Sequence, residues 1–306
     1  MRQTALDQVL ELARRDPRVV FVGSDLGVNT LAAFKAEMPD RFFMEGIAEQ
    51  NVIGLAAGLA MDGFIPYVNT IATFLTRRCF EQVAVDVCLH NLPVRLLASG
   101  GGVVYAPLGP THLAIEDMGI LRTLPNMTVV APSDAQEMKK LMPQTLDHPG
   151  PIYIRFGKGG DPVISSESEA FQIGEALVKK VPGRVGLIST GVLTERCLKA
   201  ADALTAKGIA TGVLHCPTIK PLDDPAVTKF ARDVELLVTV EEHVPNGGLG
   251  SAVLDSLVGS GRFELPRILR LSLPDRFPKM YGSQDDHLAL HGLDAAGIEI
   301  RVSAAL

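Results

Sequence analysis

The chain has 306 residues, enough for about two domains of ordinary size, and its 47% hydrophobic and 21% charged residues are those of a globular protein rather than a disordered one. A formal charge of −6, from 29 basic against 35 acidic side chains, with no basic stripe or aromatic platform, argues against a nucleic-acid partner. No run reaches the roughly 20 apolar residues of a membrane span, and residues 1–7 lack a signal-peptide core, so no membrane association and a cytoplasmic location are expected.

Residues 5–15 show helical periodicity through Leu6, Val9, Leu10 and Ala13, which Asp16-Pro17 ends. Val19-Val20-Phe21-Val22 reads as a buried strand that delivers Gly23-Ser24-Asp25-Leu26-Gly27 to a loop at its carboxyl end, where open parallel sheets gather ligands. A short helix over 30–38 and a strand at 41–44 follow. Then Glu45-Gly46-Ile47-Ala48-Glu49-Gln50-Asn51 leads into an apolar, small-residue helix at 52–61. A carboxylate in the first turn of such a helix sits at the edge of a buried interface, where its protonation is open to tuning; the helix macrodipole alone also favours a Glu there.

A strand at 65–70 and a helix at 72–91 come next, the helix carrying Phe74 and Arg77 near its start. The strand at 92–99 ends in Gly100-Gly101-Gly102, which lacks both the dinucleotide and the P-loop spacing and reads as a flexible entry to the loop at 103–117. Within that loop, Gly109-Pro110-Thr111-His112 leads into a helix and brings an imidazole to a sheet edge. After the strand at 127–132, either Ser133 or Asp134 serves as N-cap of a helix, Ser133 pairing with Gln136 at capping-box spacing. The strand at 150–156 ends at Gly157-Lys158, so Arg155 and Lys158 are candidates to meet an anionic group.

A polar connector at 161–172 separates a first domain, 1–160, from a second, 173–306. In the second, strands at 185–189, 210–214, 236–240 and 268–271 alternate with helices at 194–207, 225–232 and 251–258 and a tail helix near 284–290. Alternation without hairpin signals predicts two α/β domains, each with a parallel sheet sandwiched by helices. Cys79, Cys88, Cys197 and Cys216 show no metal-type pairing and read as reduced core thiols.

Ile47-Ala48-Glu49-Gln50 at a strand-to-helix junction, the small-residue helix behind it, Phe74 one strand later and Gly109-Pro110-Thr111-His112 together resemble the pyrimidine-binding domain of thiamine diphosphate enzymes of the transketolase type. Val240-Glu241-Glu242-His243 with Gly247-Gly248-Leu249-Gly250 is similar to the C-terminal domain shared by transketolases, deoxyxylulose phosphate synthases and 2-oxoacid dehydrogenase beta subunits. The resemblance implies thiamine diphosphate as cofactor, a source of carbanion chemistry that depends on a carboxyl hydrogen-bonded at N1′ of its aminopyrimidine. Glu49 matches that catalytic glutamate and Phe74 the aromatic that stacks on the pyrimidine; Asp25, Leu26, Ile71 and Arg77 match other positions of the same pocket. His112 matches the histidine that binds sugar and supports proton transfer, and Asn29, Arg155 and Lys158 match substrate-binding positions. His243 is expected to be a helix-capping or interface residue with no catalytic role.

The family binds diphosphate and Mg2+ through a Gly-Asp-Gly motif, which this sequence lacks. The resemblance therefore implies the C-terminal subunit of a split transketolase in an α2β2 heterotetramer, with a partner, the N-terminal subunit, supplying the Mg2+ ligands. Such an enzyme moves a two-carbon ketol unit from a ketose to an aldehyde. Leu108 stands where transketolases carry a hydroxyl-reading Asp, Gly100 near a phosphate-end His, Lys158 near a phosphate-binding Arg, and Arg77 where transketolases carry Tyr, so the usual pentose phosphates are not assumed. The alternatives are a 2-oxoacid dehydrogenase beta subunit, a deoxyxylulose phosphate synthase-like enzyme, and a non-catalytic assembly or regulatory subunit of the same fold.

Overall fold

The computed structural model describes residues 1–24, 31–261 and 264–306. Among the described residues twelve strands, β1 (Val19–Gly23), β2 (Phe42–Met44), β3 (Ile65–Ile71), β4 (Arg95–Ser99), β5 (Thr128–Val130), β6 (Ile152–Phe156), β7 (Leu177–Lys180), β8 (Val185–Ser189), β9 (Thr211–His215), β10 (Thr218–Lys220), β11 (Leu236–Val240) and β12 (Arg267–Leu271), form two sheets. The seven-stranded sheet runs β10-β5-β6-β4-β3-β1-β2 and the five-stranded sheet β12-β11-β8-β9-β7. Every residue of β1, β3, β4 and β6 is buried, as expected of parallel strands covered on both faces.

Both sheets are parallel apart from one edge strand each: β10 lies antiparallel to β5, and β7 antiparallel to β9. These strands escape a periodicity reading because they are short, and Pro182, Pro217 and Pro221 flank them. β10 follows β9 in sequence yet completes the first sheet, so the two sheets share a seam. Across it His215 Nε2 lies 2.9 Å from Glu137 Oε2. Burial alone would raise the Glu137 carboxyl, but His215, the Ser133 amide and Lys179 outweigh it and hold the group well below the usual carboxylate range.

Strand order places the site. From β1 the chain adds β2 on one side and then returns to add β3 on the other, so the direction of winding reverses between β1 and β3. Loops leaving the carboxyl ends of such a pair diverge and open a crevice, the usual ligand position in doubly wound sheets. Ser24 Oγ donates to Thr70 Oγ1 at 2.8 Å and ties the two strand ends together.

Two further sequence expectations change, and at a third the structure selects Asp134 from the two expected N-caps. The single helix over 72–91 is instead a helix at Ala72–Thr76, a turn at 77–79, a short helix at Phe80–Gln82 and a π-helical segment at Val83–Cys88. Thr76 Oγ1 bonds back to the Ala72 carbonyl, a local competitor of the helix ladder, and the break turns two arginines out of the helix. The helix at Ala135–Thr145 is capped by Asp134, which accepts from the amides of Gln136 and Glu137, while Glu137 rather than Gln136 reaches back to the Ser133 amide. Gly100-Gly101-Gly102 is no flexible entry. Gly102 has φ +67°, bridges Ala114, and leaves a gap in which a Cβ would fall 2.3 Å from Glu242; a Cβ on Gly101 would fall 2.3 Å from Arg155. Only glycine fits so close an approach.

Candidate active site at the sheet reversal

The helix at Glu49–Met61 begins just beyond β2, and its buried stripe is Glu49, Val52, Ile53, Ala56, Ala57 and Ala60. Glu49 thus occupies the first turn of a stripe set by helical spacing, which explains why a carboxylate is 1% exposed. No side chain among the described residues caps this helix, and the N-cap is Ala48. Beyond the reversal, β3 ends at Ile71, itself the N-cap of the short helix that carries Phe74.

The structure brings Glu49, Phe74 and His112 together. Arg78 joins them: its Nη1 donates to Glu49 Oε2 at 2.5 Å, and its guanidinium carbon lies 4.3 Å from the centre of the Phe74 ring. On the other side His112 meets Phe74 edge-on, with ring centroids 5.3 Å apart and planes at 69°. His112 Nδ1 lies 2.9 Å from Thr111 Oγ1, and its Nε2 has no hydrogen-bond partner among the described residues.

Arg77 directs its donors elsewhere. It pairs with Glu116 at 3.0 Å, bonds Thr73 Oγ1, and reaches the carbonyls of Thr111 and Leu113 at 3.3 and 3.2 Å. It holds the segment that presents His112. Burial pushes the Glu116 carboxyl up, against the opposing pull of Arg77.

Arg155 and Lys158 have no contact with Glu49, Phe74 or His112 among the described residues, although Arg155 Nη2 reaches the Ala114 carbonyl at 3.3 Å. Arg155 is 6% exposed, with Nε 2.9 Å from Asp117 Oδ2 and Nη2 donating to the Glu242 carbonyl at 2.8 Å; Tyr153 donates to the same Asp117 oxygen at 2.7 Å. It links β6 to the loop after β11. Lys158 is exposed, its Nζ 5.8 Å from the Tyr105 ring. Asp25, Leu26 and Asn29 lie outside the described residues. His243 is buried: its Nδ1 donates to the Val244 carbonyl at 2.7 Å and its Nε2 accepts from the Gly119 amide at 3.1 Å. It therefore caps the helix at Asp117–Arg122 from the neighbouring sheet. Burial lowers its pKa, which keeps the accepting nitrogen free of a proton.

The helix that starts at Glu49 leaves part of its outer face open. The Cβ positions of Gly54 and Gly58, on the same helix, meet nothing within 4 Å, while Ile47 and Met61 are 71% and 56% exposed. A cleft of about 740 Å³ opens elsewhere, around Lys220, Lys229 and Asp255, and shares no lining residue with Glu49, Phe74 or His112. No group of three or more His, Cys, Asp or Glu side chains among the described residues is arranged to hold a metal. The donor set does fit the pyrimidine of thiamine diphosphate: a buried carboxylate near an aromatic ring, over which the Arg78 guanidinium carbon lies at 4.3 Å.

Arg78 and Thr73 are not legible as site residues from the sequence. A signal is present in the four-residue spacing of Phe74 and Arg78, but the contact is made from the turn at 77–79 that follows the short helix.

The family model of the transketolase pyrimidine binding domain matches residues 1–160, and that of the transketolase C-terminal domain matches 174–298. The chain is 38% identical over 304 residues to 1-deoxy-D-xylulose-5-phosphate synthase 1 of Geobacter sulfurreducens, covering 98% of this chain and 47% of the relative, so it spans about half of that relative's length. To an apulose-4-phosphate transketolase subunit of Phocaeicola vulgatus it is 37% identical over 300 residues, covering 97% and 94% of the two chains. A solved split-gene transketolase, described as an inactive beta4 tetramer, superposes with a TM-score of 0.90 at 35% identity and covers 100% of this chain and 97% of its own. Sheet order, site geometry and matches along nearly the whole length agree: the chain belongs to the transketolase family and carries its pyrimidine-binding and C-terminal domains.

Proposed function

We infer that this chain is the C-terminal subunit of a split transketolase, transferring a two-carbon ketol unit from a ketose to an aldehyde through thiamine diphosphate. The observation that carries the reading is the convergence of Glu49, Phe74 and His112 at the sheet reversal. Residues 1–160 form the pyrimidine-binding half, 161–172 the connector, and 173–306 the domain that completes the assembly. Glu49 holds and shares the proton at N1′ of the pyrimidine, Phe74 stacks on the ring, and Ile71 lines the same pocket. His112 offers its open Nε2 to the substrate. Arg77 positions His112 rather than touching the ring.

The partner is an N-terminal transketolase subunit that holds the diphosphate and Mg2+, in an α2β2 assembly. Three observations support it: the sequence has no Gly-Asp-Gly, the described residues offer no metal cluster, and the helix face at Gly54, Gly58 and Met61 is uncovered. The match over nearly the full length of a transketolase subunit and of a split-gene chain agrees with that division. Leu108, 50% exposed beside the His112 segment, replaces a hydroxyl reader and favours a donor other than the common pentose phosphates.

A second reading, a deoxyxylulose phosphate synthase-like enzyme, is favoured by the 38% identity to such a synthase over 98% of this chain. A donor screen separates the two. The chain assembled with its partner is expected to form a lengthened ketose from a ketose donor and an aldehyde without gas release; CO2 release from pyruvate would establish the synthase reading instead. No helix among the described residues is long and apolar enough to cross a membrane.

A further inference from the structure

We propose that Arg78 is a resident occupant of the pyrimidine subsite, which the cofactor ring must displace in order to bind. The inference rests on the assignment of Glu49 and Phe74 to the pyrimidine.

An aminopyrimidine seated here needs two contacts, a flat face against Phe74 and a ring nitrogen at the Glu49 carboxylate. Arg78 occupies both places, with its guanidinium carbon over the Phe74 ring, 4.3 Å from the centroid, and Nη1 2.5 Å from Glu49 Oε2. A guanidinium is planar, cationic and edged with N–H donors, so it copies the shape and hydrogen-bonding edge of a pyrimidine protonated at N1′. A pyrimidine using the same Phe74 face and the same carboxylate oxygen cannot coexist with it.

The side chain is also free to leave. Arg78 is 40% exposed whereas Glu49 is 1% exposed, so the cation swings toward water while the carboxylate stays where the helix puts it. The arrangement keeps a buried carboxylate paired until a second cationic ring replaces the first, avoiding an uncompensated charge in the empty site. Its consequence is competition, in which apparent cofactor affinity is reduced by the fraction of molecules with Arg78 displaced. Arg77, one residue earlier, has no such role, because Glu116, Thr73 and the His112 segment hold it.

The test uses the full chain assembled with its diphosphate-binding partner. Thiamine diphosphate with Mg2+ is titrated by calorimetry into wild type, Arg78→Ala and Arg78→Lys. Lys keeps the charge pair with Glu49 and so protects folding, but it cannot lay a plane on Phe74. Affinity is expected to rise from wild type to Lys to Ala, by on the order of tenfold in total. Methylguanidinium at millimolar concentration is expected to compete with the cofactor in the Ala variant and to have no effect on wild type. Weaker or unchanged binding in both variants would overturn the proposal, because Arg78 would then contact the cofactor or be indifferent to it, while the functional reading would stand. Absence of binding by all three proteins would overturn the functional reading and this proposal with it.

Discussion

A Glu49→Gln chain is expected to fold and assemble as wild type does, while deuterium exchange at C2 of the bound thiamine diphosphate slows by about a hundredfold or more, the usual size of a lost acid–base contribution. Glutamine fits the space at the start of the helix and still accepts a hydrogen bond from Arg78. The charge removed is the buried one, and the Arg78 cation left behind is 40% exposed and can turn to water, so no buried charge is stranded and the unfolding midpoint is expected to change little. What glutamine cannot do is share the N1′ proton. Exchange at C2, read by NMR on the assembled complex, needs no knowledge of the donor. Wild-type exchange in a cofactor-loaded Glu49→Gln complex would remove Glu49 from the chemistry and favour an assembly role for the chain.

Replacing Arg155 is expected to act on stability first. The side chain sits between Asp117, the Ala114 and Glu242 carbonyls and the triple glycine, and it is 6% exposed. Arg155→Met removes the cation from Asp117, which keeps only the Tyr153 hydroxyl among the described residues, and takes one donor from each of the Ala114 and Glu242 carbonyls, a loss of about 3–5 kcal/mol for breaking a buried ion pair. Urea unfolding measures it. Adding Asp117→Leu to Arg155→Met removes the stranded charge and is expected to recover part of the loss. Resemblance alone would place Arg155 on an anionic substrate. A variant with unchanged unfolding midpoint and a raised KM would support that role and contradict the one drawn from its contacts.

The parallel α/β architecture is legible in the sequence because buried strands and amphipathic helices alternate with clear periods: Val19–Gly23, Ile65–Ile71 and Leu236–Val240 are strand runs buried throughout. Glu49, Phe74 and His112 are legible through resemblance, and their convergence follows from a strand order that periodicity does not encode. Apart from the break in the 72–91 helix and the details of the Asp134 cap, the features that escape a sequence reading are long-range. Arg78 reaches Glu49 across 29 positions, Arg155 reaches Glu242 across 87, and β10, which follows a strand of the five-stranded sheet, joins the seven-stranded sheet beside β5. The triple glycine misleads for the same reason. Its local pattern is that of a loose loop, and only the side chains arriving from β6 and from the loop after β11 show that the space is closed.

The division of one active site between two chains is the central claim, and cofactor binding tests it most directly. Thiamine diphosphate with Mg2+ is titrated by calorimetry into this chain alone, and then into this chain mixed with a partner that carries a diphosphate-binding domain. Heat of binding in the mixture, with none from this chain alone, is the predicted result. Tight, Mg2+-dependent binding by this chain alone would contradict it, because the diphosphate site would then lie within these 306 residues.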